Sequence, residues 1–132
     1  MRLIDWQTRL TAFVVSQMRT SFAYGRHDCA LFAAGAVAAM TGTDHARGWR
    51  GYRSRAAGLR KLREAGFEDH IALVASHLEE IHPALAAPGD VAVVEGEDGP
   101  ALGIVQGESI YILQREGLGL VSLLAAQRAF RV

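Results

Sequence analysis

A chain of 132 residues is the length of one domain, and its apolar half and charged fifth are those of a globular protein able to build a core without staples. Fourteen Lys and Arg balance fourteen Asp and Glu, and zero net charge argues against bulk adsorption to DNA or to an anionic membrane. The single cysteine excludes a disulfide framework and a Cys-based zinc finger, no apolar run is long enough to span a bilayer, and nothing reads as a signal peptide.

Asp5 stands where it can cap a first helix, in which Trp6, Leu10, Phe13, Val14 and Gln17 share one face. Residues 21–27 read as a loop containing Gly25, after which Asp28 is placed to cap a second helix starting at Cys29. That helix is apolar nearly all round (Ala30, Leu31, Phe32, Val37, Met40), which predicts a buried central helix ended by Thr41-Gly42. Ser54 caps a third helix with Leu59 and Leu62 inside and Gly66 just past its end. Asp69 opens a fourth through Ile71, Val74 and Leu78, predicted to stop before Pro83.

Beyond Pro88-Gly89 the apolar period changes from 3.6 to 2. Strands are predicted over 90–95, 101–106, 109–114 and 118–123, separated by the turn signals Glu97-Asp98-Gly99-Pro100, Gly107-Glu108 and Glu116-Gly117. Residues 125–131 fit either a short helix or an edge strand. Helices first and an antiparallel meander second make a single α+β domain over residues 1–132.

The most specific stretch is Phe22-Ala23-Tyr24-Gly25-Arg26-His27-Asp28-Cys29, running into the apolar helix. A thiol in the first turn of a helix sees unpaired N–H groups and the positive end of the macrodipole, which favours thiolate. Packed on a sheet that supplies a histidine, such a thiol is a nucleophile. Asp28 pulls the other way: a carboxylate next door opposes thiolate, and as a helix cap it needs no catalytic role. A buried structural thiol is the alternative reading of Cys29.

Three segments occur in order: Gly25-x-x-Asp28-Cys29 at a helix start, Pro88-Gly89-Asp90-Val91 entering a strand, and Leu102-Gly103-Ile104-Val105-x-Gly107 in the next strand. In this the chain resembles the NlpC-type papain-like cysteine peptidases, many of which cleave cell-wall peptides. More closely it resembles a small group of phage and prophage proteins of that fold encoded among tail genes. The resemblance implies helices with the cysteine at the start of the central one, packed on a C-terminal antiparallel meander. It also implies a catalytic histidine two residues before the glycine matched by Gly103, where this chain has Ala101. The third, polar member belongs near the end of the following strand, at Ile112 and Leu113. The triad that the resemblance implies is therefore absent.

All five histidines precede the predicted sheet. His27 lies two residues from Cys29, where side chains near a helix start diverge. His82, beside Pro83, is placed to fold back toward the thiol, whereas His45 and His77 read as surface residues. Cys29, Asp28 and His82 are thus the candidate catalytic residues. A metal site built from His27, Asp28 and Cys29 matches no ligand spacing and is set aside, and no cofactor motif is present.

The charge is polarised along the chain: +1 over residues 1–44, +7 over 45–63, −10 over 64–116 and +2 over 117–132. The basic stretch interleaves Arg47, Arg50, Arg53 and Arg55 with Trp49 and Tyr52, the side chains that anchor protein interfaces. Three readings compete: a solvated face with internal ion pairs, an electrostatic contact with another protein, and phosphate binding with aromatic stacking. Together with the resemblance, the second reading leads to the expectation of a structural subunit of a phage or prophage tail tip or baseplate. It would be assembled in the bacterial cytoplasm, present in several copies as a ring against tail hub proteins, and be a pseudoenzyme. An active cysteine hydrolase of peptidoglycan peptides, with Cys29 as nucleophile, is the alternative, and a nucleic-acid-binding accessory protein a weaker one.

Overall fold

A computed structural model describes residues 1–132. Four helices precede the sheet: α1 (Trp6–Gln17), α2 (Cys29–Thr41), α3 (Arg55–Glu64) and α4 (His70–His77). Six strands follow: β1 (Glu79–Ile81), β2 (Val91–Gly96), β3 (Gly99–Val105), β4 (Ser109–Gln114), β5 (Gly117–Ser122) and β6 (Arg128–Arg131). They form one sheet of order β1-β6-β2-β3-β4-β5, antiparallel throughout. The domain is α+β, as expected.

Three of the four helices start as their sequences predict. The side chains of Asp28, Ser54 and Asp69 accept from the N–H groups of Leu31, Ala57 and Ala72. Gly42 closes α2 in the left-handed conformation, its N–H donating to the Ala38 carbonyl. Asp5 departs from expectation: it precedes α1 but makes no capping bond, because its carboxylate pairs with Arg9 at 2.8 Å. Helix α4 ends at His77, several residues short of Pro83, and the chain turns straight into β1. Residues 128–131 form a strand, and it lies inside the sheet between β1 and β2 rather than at an edge.

Strands β2 and β3 are apolar on both faces, which explains why Val91-Ala92-Val93-Val94 reads as a continuous run. One face (Val91, Val93, Leu102, Ile104, Leu113, Phe130) packs on α2 through Phe32, Ala33, Ala36, Val37 and Met40. The other (Ala92, Val94, Ala101, Val105, Ile110, Ile112) is covered by Ala86, Val121, Leu123 and Ala126, with Cys29 against its margin. Gly103 makes this layering possible: a Cβ there would lie 2.5 Å from Ile110 Cγ2 and 2.6 Å from the Tyr111 carbonyl oxygen.

The Pro88-Gly89-Asp90 segment is a structural knot. The Asp90 carboxylate, almost fully buried, accepts from Arg2 at 2.9 Å, from the Ala87 N–H at 2.9 Å and from the Val132 N–H at 3.1 Å. Both chain ends are thereby fastened to the turn that enters β2, and the Arg2 guanidinium stacks on Trp6.

Candidate functional site

The loop before α2 is held by one carboxylate. Asp28, 4 % exposed, accepts the Leu31 N–H at 2.9 Å, the Gly25 N–H at 3.1 Å and a short hydrogen bond from the Tyr52 hydroxyl. Burial and the bond to Asp28 push the Tyr52 phenol far above its usual range, so it is a fixed neutral donor. The backbone of residues 51 and 52 lies directly on the loop: the Gly51 N–H donates to the Gly25 carbonyl at 3.0 Å. A Cβ on Gly25, whose φ is +76°, would come within 1.9 Å of the Tyr52 carbonyl oxygen. The basic segment is therefore strapped across the cysteine motif, with the Tyr52 ring resting on Gly58.

Cys29 opens α2 beneath this strap and lines a cleft of about 690 Å³. Burial is the main influence on the thiol and raises its pKa; the Asp28 carboxylate adds to that, while the N–H groups of Leu102, Ala30 and Cys29 itself oppose it. The helix terminus acts in the direction the sequence predicts, but burial outweighs it. At neutral pH the isolated thiol is protonated.

The cleft is walled by the strap (His45, Trp49, Tyr52), by α3 and α4, and by the β2–β3 hairpin through Pro100 and Ala101. His45 and His77 stack at 4.5 Å between ring centroids, and Trp49 meets Phe67 edge-on. At the rim Arg115 pairs with Asp98 at 2.6 Å, and Tyr24 donates to the same carboxylate at 3.1 Å, which ties the cysteine loop to the β2–β3 turn.

The candidate residues are not all gathered here. Cys29 and Asp28 share the cleft wall, whereas His82 is exposed and does not line the cleft; its Nδ1 accepts the Ala84 N–H to cap the 3-10 turn Pro83–Leu85. His27 is 6 % exposed, its Nε2 has no partner, and it too lies outside the cleft lining. Of the basic-segment residues, Trp49, Tyr52 and Arg55 line the cleft, Arg50 pairs with Asp44 at 2.8 Å, and Arg47 and Arg53 are exposed.

His45 and His77, read from the sequence as surface residues, both line the cleft, and so does a third histidine. His70, the first residue of α4, lines it, with its Nε2 buried without a partner. Burial lowers its pKa; Asp69, the Pro100 carbonyl and Asp28 oppose that. Its signal was its position directly after the Asp69 cap, which fixes where the first turn of α4 points.

A family model described as a domain of unknown function (DUF6950) matches residues 1–132. No curated protein sequence matches the chain. Among solved structures, the chain is similar to the NlpC/p60 domain of the peptidoglycan hydrolase SagA. The two are 16 % identical with a TM-score of 0.62, over 95 % of this chain and 97 % of that one. At that identity the likeness concerns the fold, which is NlpC/p60-like.

Proposed function

The chain belongs to the DUF6950 family, and from that premise and its NlpC/p60-like fold we propose that it is a subunit of a tailed phage or prophage particle. It sits at the tail tip or baseplate and acts by binding neighbouring subunits. The observation that carries the assembly reading is electrostatic. Of the seven basic residues between positions 45 and 63, only Arg50 has an ion-pair partner. Arg47, Arg53, Arg55, Arg60 and Arg63 are exposed and unpaired, while the arginines of β6 are each matched by a glutamate of β1. A face whose charges have no internal partners is what an acidic partner surface fits. The resemblance to tail-gene products supplies the setting, and the alanine at position 101 removes the strand histidine on which the related peptidases depend.

Particles assembled with the Arg53→Glu/Arg60→Glu variant test this. The reading expects loss of the subunit from purified particles while the isolated variant stays folded, and expects Cys29→Ser to be incorporated normally. Normal incorporation of the charge-reversed variant overturns it. Tight, salt-sensitive binding of duplex DNA by the isolated protein would move the arginine face to the nucleic-acid reading.

A second reading, a cysteine hydrolase of peptidoglycan peptides with Cys29 as nucleophile, is favoured by one observation: the unpartnered imidazole nitrogen of His70 in the cysteine's own cleft.

A further inference from the structure

We propose that strand β5 is the interface of a twofold-symmetric dimer, in which two copies of this chain join their sheets edge to edge through antiparallel β5 strands. The interface is a different surface from the arginine face and the cysteine cleft, and it depends on neither reading of them.

The two edges of the sheet are built differently. A sheet edge exposes a row of backbone donors and acceptors with which another strand can pair, and folded proteins blunt it with short strands, charges or prolines. Strand β1 is blunted in this way: it has three residues, and its Glu79 and Glu80 are each held by an arginine of β6. Strand β5, at the other end of the strand order, has none of these protections. Its six residues, Gly117-Leu118-Gly119-Leu120-Val121-Ser122, include no charge and no proline, and Leu120 is 60 % exposed. One open edge and one blunted edge favour a closed pair over an extended fibre, because strand addition has nowhere to continue.

The register of β5 selects a second copy as the occupant. Antiparallel neighbours alternate between residues that exchange hydrogen bonds and residues that do not. The Leu123 N–H donates to the Glu108 carbonyl at 2.9 Å, one step beyond the pairing of Ser109 with Ser122. Val121, Gly119 and Gly117 therefore turn their N–H and C=O groups toward β4, and Ser122, Leu120 and Leu118 turn theirs away from the sheet. None of these outward groups has a hydrogen-bond partner in the protein. They are centred on Leu120. A twofold axis through Leu120 pairs it with its own counterpart and Leu118 with Ser122 of the second copy, so that every outward donor meets an outward acceptor. The side chains fit the same axis. Leu118 packs on the α2 side of the sheet, and the two Leu120 side chains meet on that face. On the opposite face Gly119 stands across from Val121 of the second copy, leaving it room where paired side chains approach most closely. With no charge in the strand, the axis brings no like charges together.

Sedimentation velocity of the full chain over a concentration series tests this. The wild type should sediment as a dimer of the 14.3 kDa chain at high concentration and dissociate on dilution. Leu120→Pro removes the N–H at the twofold axis and takes no bond from β4, a place where an edge strand tolerates proline. Leu120→Lys sets two ammonium groups against each other at the axis. Each should weaken the dimer by about tenfold or more while the circular dichroism stays that of the wild type. Arg53→Glu/Arg60→Glu should leave the dimer unchanged. A wild type that stays monomeric up to about 0.5 mM overturns the proposal and leaves the edge to a strand of another protein. So does a dimer that either Leu120 variant retains undiminished, or one that the arginine reversal abolishes. Should neither Leu120 variant fold, amide hydrogen exchange in the wild type decides. The Leu118, Leu120 and Ser122 amides should exchange rapidly in dilute solution and become protected as the concentration rises. Exchange that does not change with concentration refutes the pairing.

Discussion

Replacing Asp28 with alanine is the sharpest test of how the cysteine loop is held. The substitution removes the cap of α2, a loss of about 1 kcal/mol at a typical N-cap. It also strands two buried donors, the Gly25 N–H and the Tyr52 hydroxyl, which otherwise meet the same carboxylate. Each unsatisfied buried donor costs about 1–3 kcal/mol, so the variant should lose about 3–7 kcal/mol. That is a large part of the roughly 5–15 kcal/mol that stabilises a domain, and the melting temperature should fall by about 10–30 °C. Tyr52→Phe removes one bond and leaves Asp28 both of its N–H donors, so it should cost only about 1–2 kcal/mol. Urea unfolding followed by circular dichroism measures both. An Asp28→Ala variant within about 1 kcal/mol of wild type refutes the shared-carboxylate account, as does a Tyr52→Phe variant that loses more than Asp28→Ala.

Two glycines separate conformational strain from steric overlap. Gly25→Ala meets both, at φ +76° with the Tyr52 carbonyl 1.9 Å from the new Cβ, and should lose more than about 3 kcal/mol by thermal unfolding. Gly42→Ala meets only the left-handed backbone, at φ +82° with nothing within 4 Å, and should lose about 1–2 kcal/mol. Gly103→Ala has no backbone strain but drives a methyl against Ile110 and the Tyr111 carbonyl; about 1–3 kcal/mol or more is expected, and an unperturbed melting temperature would refute the close packing of β3 on β4. Stability should also depend on pH. His27, His45 and His70 are each held below their ordinary pKa of 6.5, chiefly by burial. The unfolded chain therefore binds more protons, so the stabilisation is complete above that value and is lost as the pH falls through the folded-state values. Urea midpoints from about pH 8 down to about pH 5 should decline through this window, and a flat profile would contradict the burial of these imidazoles.

Much of the helical half was legible because its signals are local. Asp28, Ser54 and Asp69 each announce a helix start through a side chain that bonds three residues on, and Gly42 and Gly66 mark ends through a backbone angle that other residues avoid. Strands β4 and β5 were legible for a similar reason, since the tight turn Arg115-Glu116 connects them and Gly117 opens β5. What escaped was non-local. Glu79–Ile81 forms a strand by pairing with Arg128–Arg131, which in turn pairs with β2, and Glu80 meets Arg128 and Glu79 meets Arg131 across that junction; neither segment carries a periodic pattern long enough to read alone. His70 escaped likewise. Its distance from Cys29 along the chain says nothing of α4 forming one wall of the same cleft. Asp5 shows the reverse error, a sound capping position in which a nearby arginine competes for the carboxylate.

The pairing of Asp28 with Cys29 joins two demands that act against each other. The fold needs a carboxylate at this position because three donors converge on it, two from the backbone and one from the strap. A nucleophile would be better served without it, since that charge stands beside the sulfur and adds to the burial that keeps the thiol protonated. The hydrogen bonds to Asp28 stabilise its negative charge but do not abolish its field at Cys29. Helix-terminus N–H groups alone do not reverse the balance, so a thiol in this setting reacts only if a base takes its proton as the bond to carbon forms. Position 101 supplies none. Whether this cleft performs chemistry thus turns on whether one of the three imidazoles that line it, His45, His70 or His77, reaches the sulfur, and the arginine face acts independently of that outcome.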